Sequence, residues 1–233
     1  MKNYVVVVCS ARHLQFANLY CQSILDTESI SSDWDFIFVI NQSSSYEDLK
    51  LQVSRIGIED IENVLPLFIE KAKRIGKVYY NEPGGFELGA LKFSLSKISK
   101  EAENIILMQC TYEIKDKNFF TEFFDESYKN HLLGFNPVYQ NYFCKYPVKI
   151  LNTFLESGQW IETKTKTDAV YNEGQYISIL KKLAKDIVFK DKVLDISYSY
   201  QERFGRKNQI EDTLFTRKWK GVWHASMIKD CWK

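Results

Sequence analysis

Four short segments of this sequence carry the groups best suited to chemistry. They are Cys9-Ser10-Ala11-Arg12-His13, Asn41-Gln42, Asn81-Glu82-Pro83-Gly84-Gly85-Phe86-Glu87-Leu88-Gly89 and Gln109-Cys110-Thr111-Tyr112-Glu113. Amides, hydroxyls and an arginine in such density suit a nucleotide better than an apolar ligand. Gly84-Gly85 opens a predicted helix, whose first N–H groups and dipole favour phosphate. The spacing is not G-x-G-x-x-G, and Ala90-Leu91 replaces the Lys-Ser/Thr that a P-loop needs after Gly89. On the glycines alone, an ordinary turn with Gly89 allowing close helix packing is the simpler reading.

These segments each follow a predicted strand. Tyr4–Cys9 and Asp35–Asn41 are short β-branched or apolar runs of the kind buried on both faces of a parallel sheet, and Lys77–Tyr80 and Asn104–Met108 are a third and a fourth short strand. Helical periodicity fills the gaps at 14–25, 46–56, 59–75 (interrupted or bent near Pro66) and 86–99. Ser45 with Asp48 three residues on forms an N-cap pattern. The β-α-β-α-β-α-β order predicts an α/β fold, an open, mostly parallel sheet flanked by helices. Ligands of such sheets bind beyond the carboxyl ends of the strands, where the four segments lie. After residue 110 the pattern is irregular, with helices predicted at 117–128, 146–156 and 174–185, a strand at 132–135, and a mixed, mildly basic tail from 186. No repeat or linker divides the chain, so one domain over 1–233 is expected, with a ligand-binding half at about 1–115 and the remainder at about 116–233.

Composition narrows the classes. The 233 residues are 45% hydrophobic and carry 31 Lys+Arg against 30 Asp+Glu, a formal charge of +1. That balance gives no general electrostatic reason to bind nucleic acid or an anionic membrane. No apolar run approaches the roughly 20 residues of a membrane-spanning helix, so no transmembrane segment is expected. The start of the chain lacks a signal-peptide pattern. The five scattered cysteines form no CxxC pair, and reduced thiols in a cytoplasmic protein are expected. Aromatic residues make up 15%, an excess that serves cores and sugar-stacking surfaces alike.

The segment Tyr80–Lys92 resembles the "N-x-G-(Y/F)-(D/E)-x-G-A" stretch of bacterial and viral glycosyltransferases of the type A (GT-A) fold, inverting and family-2-like. The order of elements over roughly 4–140 is similar to theirs as well. The resemblance implies a GT-A-like (Rossmann-like) fold, a nucleotide-diphosphate sugar as donor, and a glycan or other hydroxyl compound as acceptor. Its donor side would comprise Ser10, Ala11, Arg12 and Asn41 for the nucleoside. Asn81, Gly85, Glu87 and Lys92 would border ribose, phosphates or sugar, with Gln109, Cys110 and Thr111 at the diphosphate. Lys218-Trp219-Lys220-Gly221-Val222-Trp223-His224 is similar to a C-terminal segment of such enzymes, which would bring His224 to the leaving group.

Inversion needs one carboxylate to take the acceptor hydroxyl's proton. In the family it stands near the start of a late helix, which implies Glu173 first and Asp168 second. Negative charge at a helix N-terminus is an equal reading of Glu173. The aromatic, amide-rich stretch 134–143, including Tyr139, together with Trp160, offers an acceptor-binding surface or a core. One departure from the family matters. The Asp-x-Asp that holds Mn²⁺ or Mg²⁺ on the donor is replaced by Gln109-Cys110-Thr111, a poor ligand set for a hard cation. Three readings stay open: leaving-group charge handled by side chains and amides, a metal held differently, or no catalysis. The rival functions are a nucleotide- or glycan-binding relative without turnover, and an unrelated α/β nucleotide-dependent transferase.

Overall fold

The computed structural model describes residues 2–27, 34–57, 60–123, 131–134, 144–183, 188–191, 197–203, 206–214 and 216–221. Four parallel strands form the centre: β1 (Lys2–Cys9), β2 (Trp34–Asn41), β3 (Gly76–Asn81) and β4 (Ala102–Gln109). Val5 pairs with Phe36 on one side and Ile106 on the other, so β1 is interior to the sheet. Its valines alternate between two cores. Val5 and Val7 pack with α1 (Leu14–Asp26) and α3 (Ile61–Ile75), while Val6 and Val8 pack with residues of α4 (Phe86–Leu95), α6 (Val148–Glu156) and α7 (Lys166–Leu183). Helices on both faces explain why this strand is apolar throughout rather than alternating.

The helices bury one stripe each. In α1 these are Leu14, Ala17, Tyr20, Cys21 and Ile24, and in α3 Leu65, Phe68, Ile69, Ala72 and Ile75, the three- and four-residue steps of an amphipathic helix. α3 runs unbroken through Pro66, whose side chain is exposed, so water can serve the carbonyl left without its helical partner. α2 (Tyr46–Ile56) begins as expected, with Ser45 Oγ accepting from the Asp48 N–H at 3.1 Å. The Asp48 carboxylate reaches one residue further back than a capping box requires and accepts from the Ser44 N–H at 2.9 Å.

The full sheet has the order β3-β2-β1-β4-β7-β6-β8, adding β6 (His131–Gly134), β7 (Cys144–Pro147) and β8 (Val188–Asp191). β7 is antiparallel to β4 and to β6, while β8 is parallel to β6. Residues 146–147, predicted helical, therefore end a strand. Pro147 breaks the ladder and α6 starts at Val148. The helix predicted at 117–128 is seen as α5 (Asn118–Phe123), its remainder falling outside the described residues.

A second sheet was not anticipated. β5 (Tyr112–Ile114) leaves the end of β4 and pairs with β11 (Thr216–Gly221), which continues antiparallel to β10 (Arg206–Asp212) and β9 (Ser197–Arg203). Trp219 of β11 is buried and stacks on Phe16 of α1, with ring centroids 5.8 Å apart. The Arg203 guanidinium lies 4.9 Å above the same indole. Arg203 and Arg217 flank Glu113 at 3.5 and 3.9 Å, and Arg217 also pairs with Asp212 at 3.1 Å.

Candidate donor-binding site

The chain reverses direction across the sheet between β1 and β4. β2 and β3 lie on one side of β1, and β4 lies on the other. Such a switch point leaves a crevice beyond the strand ends, which is where open α/β sheets bind ligands. Here its walls are the segment after β1 and the segment after β4. They are stitched by the Cys110 N–H donating to Val8 O at 3.0 Å. Ser10 leads into a single 3-10 turn, Ala11–His13, and its Oγ lies 3.1 Å from His13 Nδ1. Arg12 is half-buried on that turn.

The Asn81–Gly89 segment is built by its asparagines. Asn41 and Asn81 are register partners at the ends of β2 and β3. Asn81 Nδ2 donates to Asn41 Oδ1 and to Gly84 O, both at 2.8 Å, and Asn41 Nδ2 donates to Phe86 O at 2.6 Å. Both side chains are buried, and these amide donors are spent on the turn. Asn41, expected to hold a nucleoside, therefore holds the turn beside the crevice. Gly84, Gly85 and Phe86 all have positive φ, 68°, 82° and 53°. A phenylalanine rarely adopts that conformation, and the Asn41 bond to its carbonyl helps to fix it there. Gly89 is demanded by contact, since a Cβ on it would meet Gly84 O at 1.9 Å. The helix N-terminus is thereby drawn tightly onto the turn, and Gly85 as N-cap supplies no side-chain cap to the first N–H groups.

At the end of β4 a relay of polar groups replaces the expected carboxylates. Thr111 Oγ1 donates to Gln109 Oε1 at 3.4 Å, and Gln109 Nε2 donates to Glu87 Oε1. Glu87 thus brings the carboxylate to this place from α4 rather than from the strand. Gln109, Thr111 and Glu87 together offer one anionic ligand, already hydrogen-bonded. Among the described residues no group of three or more His, Cys, Asp and Glu could hold a metal ion. This donor set does not fit Mn²⁺ or Mg²⁺, which take several oxygen ligands with carboxylates prominent. Thr111 also accepts the Trp219 N–H at 2.9 Å through its carbonyl, which ties the second sheet to the crevice.

The other expected residues fall as follows. Lys92 lies five residues beyond Glu87, roughly 140° around the helix, and its ammonium pairs with exposed Glu162, not with the relay. Cys110 and Cys9 are buried neighbours, and burial, reinforced by Cys110, pushes the Cys9 thiol well above its ordinary range, which disfavours the thiolate. Asp168 and Thr165 form a reciprocal capping box. The Asp168 N–H donates to Thr165 Oγ1 at 3.1 Å and the Thr165 N–H to the Asp168 carboxylate at 2.8 Å. That backbone hydrogen bond holds the Asp168 carboxyl below its ordinary value. α7 accordingly begins at Lys166, and Glu173 lies in its interior instead of at its start, so the helix-terminus reading of Glu173 does not apply. Trp160 packs on Phe154 and Tyr176 at 4.9 and 5.8 Å, half-buried. Tyr139 and His224 lie outside the described residues.

Two features escaped the sequence reading. The segment before α7 passes the turn, with Thr163 O 3.6 Å from where a Gly85 Cβ would stand, and nothing local in its sequence signals that approach. A cavity of about 750 Å³ runs beside β3, lined by Tyr46, Pro66, Ile69, Glu70, Lys73, Val78 and Tyr80. It lies on the α2–α3 side of the sheet, away from the relay.

No protein-family model matches the chain, and no curated protein matches it in sequence. Solved structures do. The mannosyltransferase PcManGT from Pyrobaculum calidifontis, solved with GDP-Man and Mn²⁺, superposes with a TM-score of 0.51 over 82% of this chain and 55% of its own, at 9% identity. A 4-diphosphocytidyl-2C-methyl-D-erythritol synthase from Anaerococcus prevotii gives 0.48 at 11% identity over 82% and 86%. S. aureus TarS gives 0.49 at 14% identity over 82% and 35%. This chain spans about half the length of the mannosyltransferase and a third of TarS. The sheet order, the crevice between β1 and β4 and the likeness to the mannosyltransferase agree: the fold is GT-A-like.

Proposed function

We propose that the chain is a glycosyltransferase that binds a nucleotide-diphosphate sugar in the β1–β4 crevice and passes the sugar to an acceptor hydroxyl with inversion. The observation that carries this reading is the site's construction. An N-terminus of α4 without a side-chain cap is drawn onto the turn by Gly89 and clamped by Asn41 and Asn81, beside the Glu87–Gln109–Thr111 relay. Backbone N–H groups at a helix start suit a diphosphate, and Glu87 with Gln109 suits sugar or ribose hydroxyls.

In the reaction the acceptor oxygen attacks the anomeric carbon. The bond from that carbon to the diphosphate oxygen breaks, and the leaving nucleotide keeps the electron pair. Glu173 takes the acceptor's proton. Asp168 is engaged in its capping box, which favours Glu173 as the base. Because the residues at the β4 end do not fit a divalent cation, the charge on the leaving diphosphate falls to backbone N–H groups and to Arg12 at the crevice wall.

Product analysis tests this. A sugar-nucleotide panel is assayed for nucleotide release with the parent and with Glu173→Gln. The expected result is release by the parent, a loss of about 100-fold or more in the variant, and unchanged donor binding. Donor binding without release by the parent would favour a binding protein without turnover. Stabilisation by S-adenosylmethionine or nucleoside triphosphates alone would overturn the reading.

A further inference from the structure

The second sheet ends in a strand that the donor chemistry does not use. Every residue of β9 from Ser197 to Glu202 is exposed, so neither face of this strand is covered. Tyr198 and Tyr200 project from the same face, two residues apart, and are 61% and 60% exposed. Across the ladder Tyr198 opposes Glu211, Tyr200 opposes Gln209 and Glu202 opposes Lys207. The Lys207 ammonium lies 5.2 Å from the Tyr200 ring centroid. Glu211 is buried, so this face presents two rings framed by the Gln209 amide, the Glu202 carboxylate and the Lys207 ammonium, with no aliphatic side chain on β9 or at the β10 positions opposite its tyrosines.

That composition chooses between occupants. The core of a protein interface is depleted of Lys, Glu and Ser, the residue types that surround the two tyrosines along β9 and opposite it. Flat aromatic rings flanked by hydrogen-bonding groups match a carbohydrate, whose ring faces are apolar and whose edges are hydroxyls. Position adds to this. The sheet starts at β5, directly after Gln109 and Thr111, and proceeds through β11 and β10 to β9. Three strand spacings put β9 about 14 Å from β5. A glycan held on the tyrosines would need several sugar units to reach the crevice.

We infer that Tyr198 and Tyr200 form an accessory glycan-binding strip that holds the distal part of an oligosaccharide acceptor. This rests on the reading of the chain as a glycosyltransferase, and it adds the size class of the acceptor. Lys207 steadies Tyr200, and Gln209 and Glu202 meet hydroxyls along the chain.

A printed array of neutral and acidic oligosaccharides, from disaccharides to hexasaccharides, is the first test, followed by titration of the best hexasaccharide. The expected result is binding by the parent and a loss of about tenfold or more in Tyr198→Ala/Tyr200→Ala. Tyr198→Phe/Tyr200→Phe, which keeps the rings, and Ser199→Ala/Gln201→Ala on the opposite face should bind like the parent. Should the alanine variant fail to fold, fluorotyrosine NMR of the parent replaces it, with hexasaccharide-induced shifts expected at positions 198 and 200. No oligosaccharide binding by the parent would overturn the strip. So would equal binding by the alanine variant, binding of a single-stranded oligonucleotide alone, or self-association through the β9 edge. Glycan binding without nucleotide release would leave the strip standing and remove the transferase. Transfer to a disaccharide with no hexasaccharide binding would do the reverse.

Discussion

The two sheets of this molecule are held together by different physics. In the large sheet β1 and β4 are apolar strands covered by helices on both faces, and almost every side chain from Tyr4 to Cys9 and from Asn104 to Met108 is buried. In the small sheet β9, β10 and β11 are mainly polar, while Tyr112 and Ile114 of β5 belong to the core of the large sheet. One buried tryptophan, a stack on Phe16 and a cluster of arginines and carboxylates fasten the three polar strands. The large sheet supplies a rigid floor for the crevice. The outer strands of the small one are an attachment, joined to the floor through β5, whose Tyr112 and Ile114 enter the large core, and by the backbone bond of Trp219 to the Thr111 carbonyl. On the proposed reading, binding chemistry that needs precision falls to the first, and the inferred acceptor strip falls to the second.

Removing the attachment point should produce the largest effect. Trp219→Ala is expected to cost about 3–5 kcal/mol, as for other buried large-to-small changes, and hydrogen exchange should rise across β9–β11 before it rises in β1 or β4. Protection lost equally in both sheets would show that they are one cooperative unit. Next comes the clamp on the turn. Asn81→Ala leaves Gly84 O and Asn41 Oδ1 without this donor in a buried place, so urea unfolding should show a loss of about 1–3 kcal/mol. Donor affinity should fall further than stability, because the α4 N-terminus loses its fixed position. The smallest effect belongs to the ionic cluster. Arg217 is partly exposed, and screening limits Arg217→Ala to about 1 kcal/mol or less, shrinking further as salt is added. A cost in Trp219→Ala no larger than this would contradict the division between the sheets.

The same contrast explains what was legible in the residues. β1, β2 and β4 announced themselves because burial on both faces demands continuous apolar runs, the part-exposed edge strand β3 showed as a short run between two helical patterns, and the polar segments after them marked the crevice. Ser-Tyr-Ser-Tyr-Gln-Glu-Arg and Arg-Lys-Asn-Gln-Ile-Glu-Asp carry no such signal, since β9 is exposed on both faces and β10 buries polar Asn208 and Glu211 beside Ile210. At the start of α7 the signal is present in Thr165-x-x-Asp168, a capping-box spacing, and Asp168, expected as a second candidate base, is engaged in that box. The glycine segment was legible in type but not in construction. Gly89 is there for close packing, as its spacing suggested. The partnership of Asn41 and Asn81 depends on β2 and β3 lying side by side, which no local pattern states. Glu87 likewise meets Gln109 only through the fold.

On the proposed reading the β1–β4 crevice takes a sugar nucleotide without relying on a divalent cation, because Glu87 is the one carboxylate of the Glu87–Gln109–Thr111 relay and is already hydrogen-bonded. Calorimetric titration of UDP- and GDP-sugars into the protein, once in EDTA and once in Mn²⁺, tests it most directly. The account predicts binding of one donor with affinities within about threefold in the two conditions, less than 1 kcal/mol apart, and loss of that binding in Asn81→Ala. Binding that appears only with Mn²⁺, or no binding in either buffer, would contradict it.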